Sequence, residues 1–201
     1  MGQYYNAVLK INGEKQVFTT YVDGEFVFAK LMEHSYWGNS FVLAIASKFW
    51  RTKGQLAWVG DYADEDDFNW NKEFENVHSD IARADLSYNG FRLEGKYLIN
   101  HTKKIFIDLD EYKKLLEKEN WIINPLSLLT AVGNGKGGGD FGDEQVGAKM
   151  VGSWTWDIIE ITDQDLYDWK YNMQTKSYDA ILKEAFNDYK NVTGTFYFIE
   201  K

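Results

Sequence analysis

NSFVLAIASKFWRTKGQLAWVG, residues 39–60, changes its hydrophobic period halfway along. Phe41, Ile45 and Phe49 fall four apart with Val42 and Ala46 beside them, which lines one broad face of an α-helix. Asn39 or Ser40 stands where a side-chain oxygen can cap the first turn. GQLAWVG then reads as a short buried strand. A helix with nearly apolar flanks needs cover on more than one side, which places this pair near the centre of a domain.

Upstream, YYNAVLKINGEKQVFTTYV holds two β-rich runs, residues 4–11 and 15–22, joined through Asn12-Gly13. That pair accepts the positive φ angles of a type I′ turn, so the runs are expected to form a hairpin. Asp23-Gly24 repeats the signal and leads into EFVFAKLM, residues 25–32, read as a third strand.

Downstream, Trp70, Phe74, Val77, Ile81 and Ala84 recur at helical spacing. FRLEGKYLI and KKIFIDL, residues 91–99 and 103–109, read as paired strands around Asn100-His101-Thr102. Asp108 is expected to cap the next helix, with Glu111 returning a bond as in a capping box. Tyr112, Leu115 and Leu116 form its apolar stripe, and Asn124-Pro125 is expected to end or redirect it. SWTWDIIEI, residues 153–161, reads as a strand, SYDAILKEAFNDYKN, residues 177–191, as a surface helix, and TFYFI, residues 195–199, as a final strand. The sum is α+β: one compact domain with a mixed, mostly antiparallel sheet and four to five helices. At 201 residues the chain suffices for one core without a staple.

Composition narrows the chemistry. The chain has no cysteine, which removes thiol catalysis, disulfides and cysteine-based metal sites and is compatible with a reducing compartment. No apolar run approaches a membrane span and the opening MGQYYNAVLKINGEK lacks the pattern of a signal peptide, so the expectation is an unanchored, cytoplasmic protein. Net charge is −9, and residues 61–85 concentrate it, with nine acids against Lys72 and Arg83. Such a field repels nucleic-acid backbones and attracts basic surfaces or cations, so direct nucleic-acid binding is the least favoured class.

AWVGDYADEDDFNW, residues 57–70, crowds five carboxylates into seven positions. Three readings stand: a solvated turn, a partner-binding surface made by Asp64, Glu65, Asp66, Asp67 and Glu73, and a cation site using Asp61 and Asp64. Hard divalent cations take several oxygens, but the run lacks the ligand order and central Gly of an EF-hand loop. No cofactor is expected, apart from a divalent cation on that last reading.

Residues 133–142 contain six glycines, and a flexible loop or lid is expected there. GNGKGGGD has the composition of a phosphate loop without its spacing, and Asp140 and Asp143 oppose an anion. His34, His78 and His101 are scattered without ligand spacing. His34, beside Glu33 and Ser35, could exchange protons near neutrality, or the cluster could simply cap a helix start. Lys30, Tyr36, Trp37, Asn39 and Tyr62 complete a candidate rim if the helix from Asn39 joins neighbouring strands.

MGQYY, LMEHSYWGNSFV and WVGDYAD resemble segments of a family of small uncharacterised proteins of bacteria and their phages. The resemblance covers mainly the first third of the chain. It implies shared positions at Glu33, His34, Trp37, Gly38, Asn39, Trp58, Gly60, Asp61, Tyr62 and Asp64, and a mobile-element setting, but no activity. The resulting expectation is an accessory protein-interaction module that docks a partner with a basic surface. The alternative is a metal-dependent hydrolase in which Asp61 and Asp64 hold the cation and His34, with Glu33, moves a proton. Nothing in the sequence specifies an oligomeric state.

Overall fold

The computed structural model describes residues 2–19, 21–27, 29–63, 86–117, 122–142, 147–163 and 188–197. Its framework is an eight-stranded sheet. Strands β1 (Tyr5–Ile11) and β2 (Glu14–Phe18) form the expected hairpin, with Asn12 and Gly13 at φ 54° and 83°. β5 (Gly54–Gly60) pairs antiparallel with β1 along its whole length, from Tyr5 opposite Gly60 to Ile11 opposite Gly54. β6 (Lys96–Asn100), β7 (Ile105–Asp108) and β9 (Ile158–Asp163) continue the sheet, giving the order β10-β7-β6-β9-β5-β1-β2 with β10 at Lys190–Asn191.

The far edge of β5 is shared. Gly54 and Gln55 pair with β9, whereas Trp58 and Val59 pair in parallel with β8 (Ala131–Val132). Every residue of β5 except Gln55 is buried. Alternation splits the strand between two cores: Leu56 and Trp58 face the main one, Ala57 and Val59 a smaller one with Val8, Val17 and Val132. A strand covered on both faces reads as a continuous apolar run, as GQLAWVG does.

Helix α2 (Ser40–Lys48) lies on the main core with Phe41 through Ala46 all buried, and the Phe41 and Trp58 rings sit 5.1 Å apart. Asn39 supplies the cap, its Oδ1 accepting from the N–H groups of Phe41 and Val42 at 2.9 and 3.1 Å. α1 (Leu31–His34), α3 (Leu109–Leu116) and α4 (Pro125–Leu129) complete the α+β domain. Among the described residues no helix is long and apolar enough to cross a membrane.

Several local expectations are corrected. β2 stops at Phe18, and Tyr21–Val22 (β3) pairs with Glu25–Phe26 (β4) as a separate two-stranded ribbon. Among the described residues of EFVFAKLM only the first two are strand, and the last two open α1. The capping box at Asp108 is half made: Oδ1 accepts from Asp110 and Glu111 N–H, but the Asp108 N–H donates to Thr193 Oγ1 at 2.9 Å. Glu111 instead accepts from Asn191 at 3.2 Å, because the segment Thr193–Tyr197 packs against α3.

Asn124-Pro125 begins a helix, with Asn124 Oδ1 accepting from Leu126 N–H and Pro125 in the first turn, where its missing N–H has no intrahelical partner to lose. Trp154 and Trp156 precede β9 in turns, and Trp156 has φ 63°, which an extended strand does not permit. Residues 195–197 of the expected final strand lie in a 3-10 helix (Thr193–Tyr197), residues 198–199 lie outside the described residues, and Lys190–Asn191 is strand instead of helix end. The helix read from Trp70 to Ala84 and residues 177–187 of the late helix lie outside the described residues.

Candidate functional site

Asp61 continues the β1–β5 ladder past its last strand residue. Its N–H donates to Tyr4 O at 2.8 Å, and its Oδ1 accepts from Tyr4 N–H at 3.1 Å. The carboxylate is thus fixed to the end of a rigid strand while the residue stays exposed. Tyr4 and Tyr62 are exposed as well, at 39% and 38%. Tyr62 is oriented through its backbone, whose N–H donates to Gln3 Oε1 at 3.1 Å. Asp64, Glu65, Asp66, Asp67 and Glu73 lie outside the described residues.

Beneath this edge, residues 133–142 fold around one carboxylate. Asp140 Oδ2 accepts from Gly135 N–H at 2.8 Å and Gly137 N–H at 3.0 Å, and Oδ1 accepts from the Tyr5 hydroxyl at 2.8 Å. Gln3 Nε2 lies 3.1 and 3.0 Å from the two oxygens. Asn134 and Phe141 close the base of the loop through a reciprocal pair of hydrogen bonds. The glycine amides that a phosphate loop would turn on its ligand are therefore engaged by an acid of the same loop. Burial, then the Asp140 hydrogen bond and charge, push the Tyr5 hydroxyl far above its ordinary pKa. Asp61 adds to that rise through its charge.

His34 has a different neighbourhood. Its Nδ1 accepts from Lys30 N–H at 3.2 Å, while Lys30 Nζ is 3.1 Å from Glu33. Burial lowers the His34 pKa, Glu33 opposes that through its charge and Lys30 reinforces it, so the ring favours its neutral form. The Lys30 stem packs over Gly2 and Gly139, where a Cβ would meet Lys30 carbons at 2.7 and 2.8 Å. A Cβ on Gly137 would meet Gln3 at 2.5 Å and Tyr62 at 3.0 Å. The glycine loop accordingly touches Tyr62 at one residue and Lys30 two residues later.

The remaining rim candidates have contacts of their own. Tyr36 forms a bridge with Ile123 and is 41% exposed. Trp37 stacks on Tyr112 with centroids 6.2 Å apart and donates to Glu94 at 3.3 Å. Asn39 is buried in the α2 cap. Among the described residues no group of three His, Asp or Glu side chains gathers as a metal centre requires.

Two clusters escaped the sequence reading. Gln3, Tyr5 and Asp140 carry no local motif, and Asp140 was legible only as an acid that would repel an anion. The other is Glu160–His101–Tyr189. His101 Nε2 is 2.8 Å from Glu160 Oε2 and Nδ1 is 2.9 Å from the Tyr189 hydroxyl. An ionised carboxylate only accepts, so Nε2 carries a hydrogen and donates to Glu160. Beside it, Asn100 donates to Asp157 at 2.7 Å and Lys103 also pairs with Asp157. Compared with known proteins, the chain matches no family model, no curated protein and no solved structure.

Proposed function

We propose that the chain is an accessory protein-interaction module, of mobile-element setting, that docks a partner with a basic surface. The docking face comprises Tyr4, Asp61 and Tyr62 together with Asp64, Glu65, Asp66, Asp67 and Glu73. The observation that carries this reading is the anchored Asp61 carboxylate, set at a strand end with exposed Tyr4 hydrogen-bonded beside it and exposed Tyr62 following it. Tyrosines combine apolar area with a polar tip and are enriched at interfaces, and their ring faces attract cations. The acids that follow would speed encounter with a basic patch.

No observation favours the divalent-cation reading over this one. Asp61 Oδ1 already accepts from Tyr4 N–H, and His34 Nδ1 already accepts from Lys30 N–H.

The test is affinity capture at about 10 mM and about 300 mM salt, where the screening length falls from roughly 30 Å to below 8 Å. The tagged wild-type chain is compared with a variant carrying Asp61→Lys, Tyr62→Ala, Asp64→Lys and Asp66→Lys. The reading expects a basic partner retained at low salt, released at high salt and lost by the variant. It fails if no partner is retained, or if the variant keeps the same complex.

A further inference from the structure

The donors around Asp140 are held by the rest of the molecule. Tyr5 lies in β1 opposite Gly60 and has no exposed surface, and neither does Gln3. Gln3 is fixed at both ends, its Oε1 accepting from Tyr62 N–H, one Nε2 hydrogen donating to Gly133 O at 2.8 Å, and the other shared between Tyr5 Oη at 2.8 Å and the carboxylate. Gly133 itself adjoins Ala63, which a Cβ would meet at 2.9 Å. The Gln3 and Tyr5 donors are therefore in place whether or not a carboxylate is present. Asp140 is half-buried and Gly135 is at the surface, so the anion is reached from solvent.

We propose that Gly135 N–H, Gly137 N–H, the Tyr5 hydroxyl and Gln3 Nε2 form a receptor for one compact monocarboxylate, which Asp140 fills as an internal ligand. Shape and charge select this ligand class. Four donors converge on two acceptor oxygens, which a planar carboxylate satisfies completely. A phosphate would bring further oxygens and a second negative charge toward Asp61, whose field already reaches the Tyr5 phenol.

A tethered ligand competes at an effective concentration of about millimolar or more. An external carboxylate therefore shows itself most clearly once the internal one is removed. This inference stands apart from the docking reading, since none of the residues that donate to the carboxylate belongs to the docking face.

The experiment uses formate as the probe with the full-length Asp140→Ala variant, against sodium chloride at equal ionic strength. The amide resonances of Gly135 and Gly137 are expected to shift saturably with formate in the variant and not in the wild type, and its melting temperature to rise with formate alone. Adding Tyr5→Phe removes one donor to the charged ligand and should weaken formate binding by about tenfold. If Asp140→Ala is unfolded in chloride, recovery of the folded spectrum in formate supports the receptor. The proposal is overturned if formate acts no differently from chloride on the variant, folded or not, or if Tyr5→Phe leaves the formate affinity unchanged.

Discussion

The Tyr5 hydroxyl donates a 2.8 Å hydrogen bond to Oδ1 of Asp140, 135 residues further along the chain. It joins the first strand of the sheet to a loop that would otherwise be tied mainly through its own backbone. Hydrogen bonds to charged groups contribute about 1.5–3 kcal/mol. Tyr5→Phe should destabilise the fold by an amount in that range, read as a lowered urea midpoint with an unchanged m-value. An unchanged midpoint would show that this bond does not hold the loop.

The same residue sets a pH dependence. Tyr5 and Tyr112 are both raised above the ordinary phenol value of 10.0, Tyr5 by burial and then by Asp140, Tyr112 by burial alone. Both states hold these protons below about pH 10, whereas above it the unfolded chain releases them and the folded chain does not. Stability is therefore full below pH 10 and falls as pH rises, by about 1.4 kcal/mol per pH unit for each tyrosine. Denaturation from pH 9 to about pH 11 should show this fall, with the slope reduced by one proton in Tyr5→Phe. Equal slopes in wild type and variant would contradict it.

Gly152 sits at φ 70°, and a Cβ there would stand 2.5 Å from the carbonyl oxygen of Ala131. The clash is with the backbone of β8, so no side-chain rotation relieves it. Gly152→Ala should cost on the order of 1–3 kcal/mol. Gly38 meets nothing within 4 Å, and Gly38→Ala should change stability by no more than about 1 kcal/mol. Comparable losses in the two variants would remove the steric explanation.

Asn39 accounts for two donors of the first turn of α2 with one buried oxygen. Asn39→Ala should lower stability by about 0.5–2 kcal/mol, and Asn39→Asp, which keeps the acceptor, by less. If Asn39→Asp proved as damaging as Asn39→Ala in chemical denaturation, the cap would not be the source of the loss.

What was legible in the sequence follows from the range of each signal. The turn at Asn12-Gly13, the Phe41–Ile45–Phe49 face and the unbroken apolar run of β5 are local patterns, and each appears where its period places it. Asn124-Pro125 shows how a local signal can fail. An extended residue before proline either ends a helix or caps the next one, and only packing against the core decides which. β8 and β10 are two residues each, too short for any period to register. The donors gathered on Asp140 come from residues 3, 5, 135 and 137, so no window along the chain contains them. Of the candidate site, Asp61 and Tyr62 were legible because they directly follow a strong strand, but their attachment to Tyr4 and Gln3 was not.

The last prediction concerns the clamp on the chain's C-terminal segment. His101 bridges Glu160 of β9 and Tyr189, and Lys190 N–H donates to Lys104 O at 3.0 Å just beyond it. The His101 and Glu160 side chains are only 12% and 16% exposed, so removing the ring strands a largely buried carboxylate. His101→Ala should cost about 1–3 kcal/mol. It should also speed tryptic cleavage at Lys190, because the segment then keeps only the exposed Lys104–Asp188 pair as a side-chain tie to the turn after β6 among the described residues. Tyr189→Phe should reproduce the faster cleavage with a smaller loss of stability, since Glu160 then keeps its histidine. A double-mutant cycle between His101→Ala and Glu160→Gln separates the two effects, with a coupling of about 0.5–3 kcal/mol expected for a direct pair. Additive single-mutant losses, or unaltered cleavage at Lys190 in His101→Ala, would mean that the array does not fasten this segment.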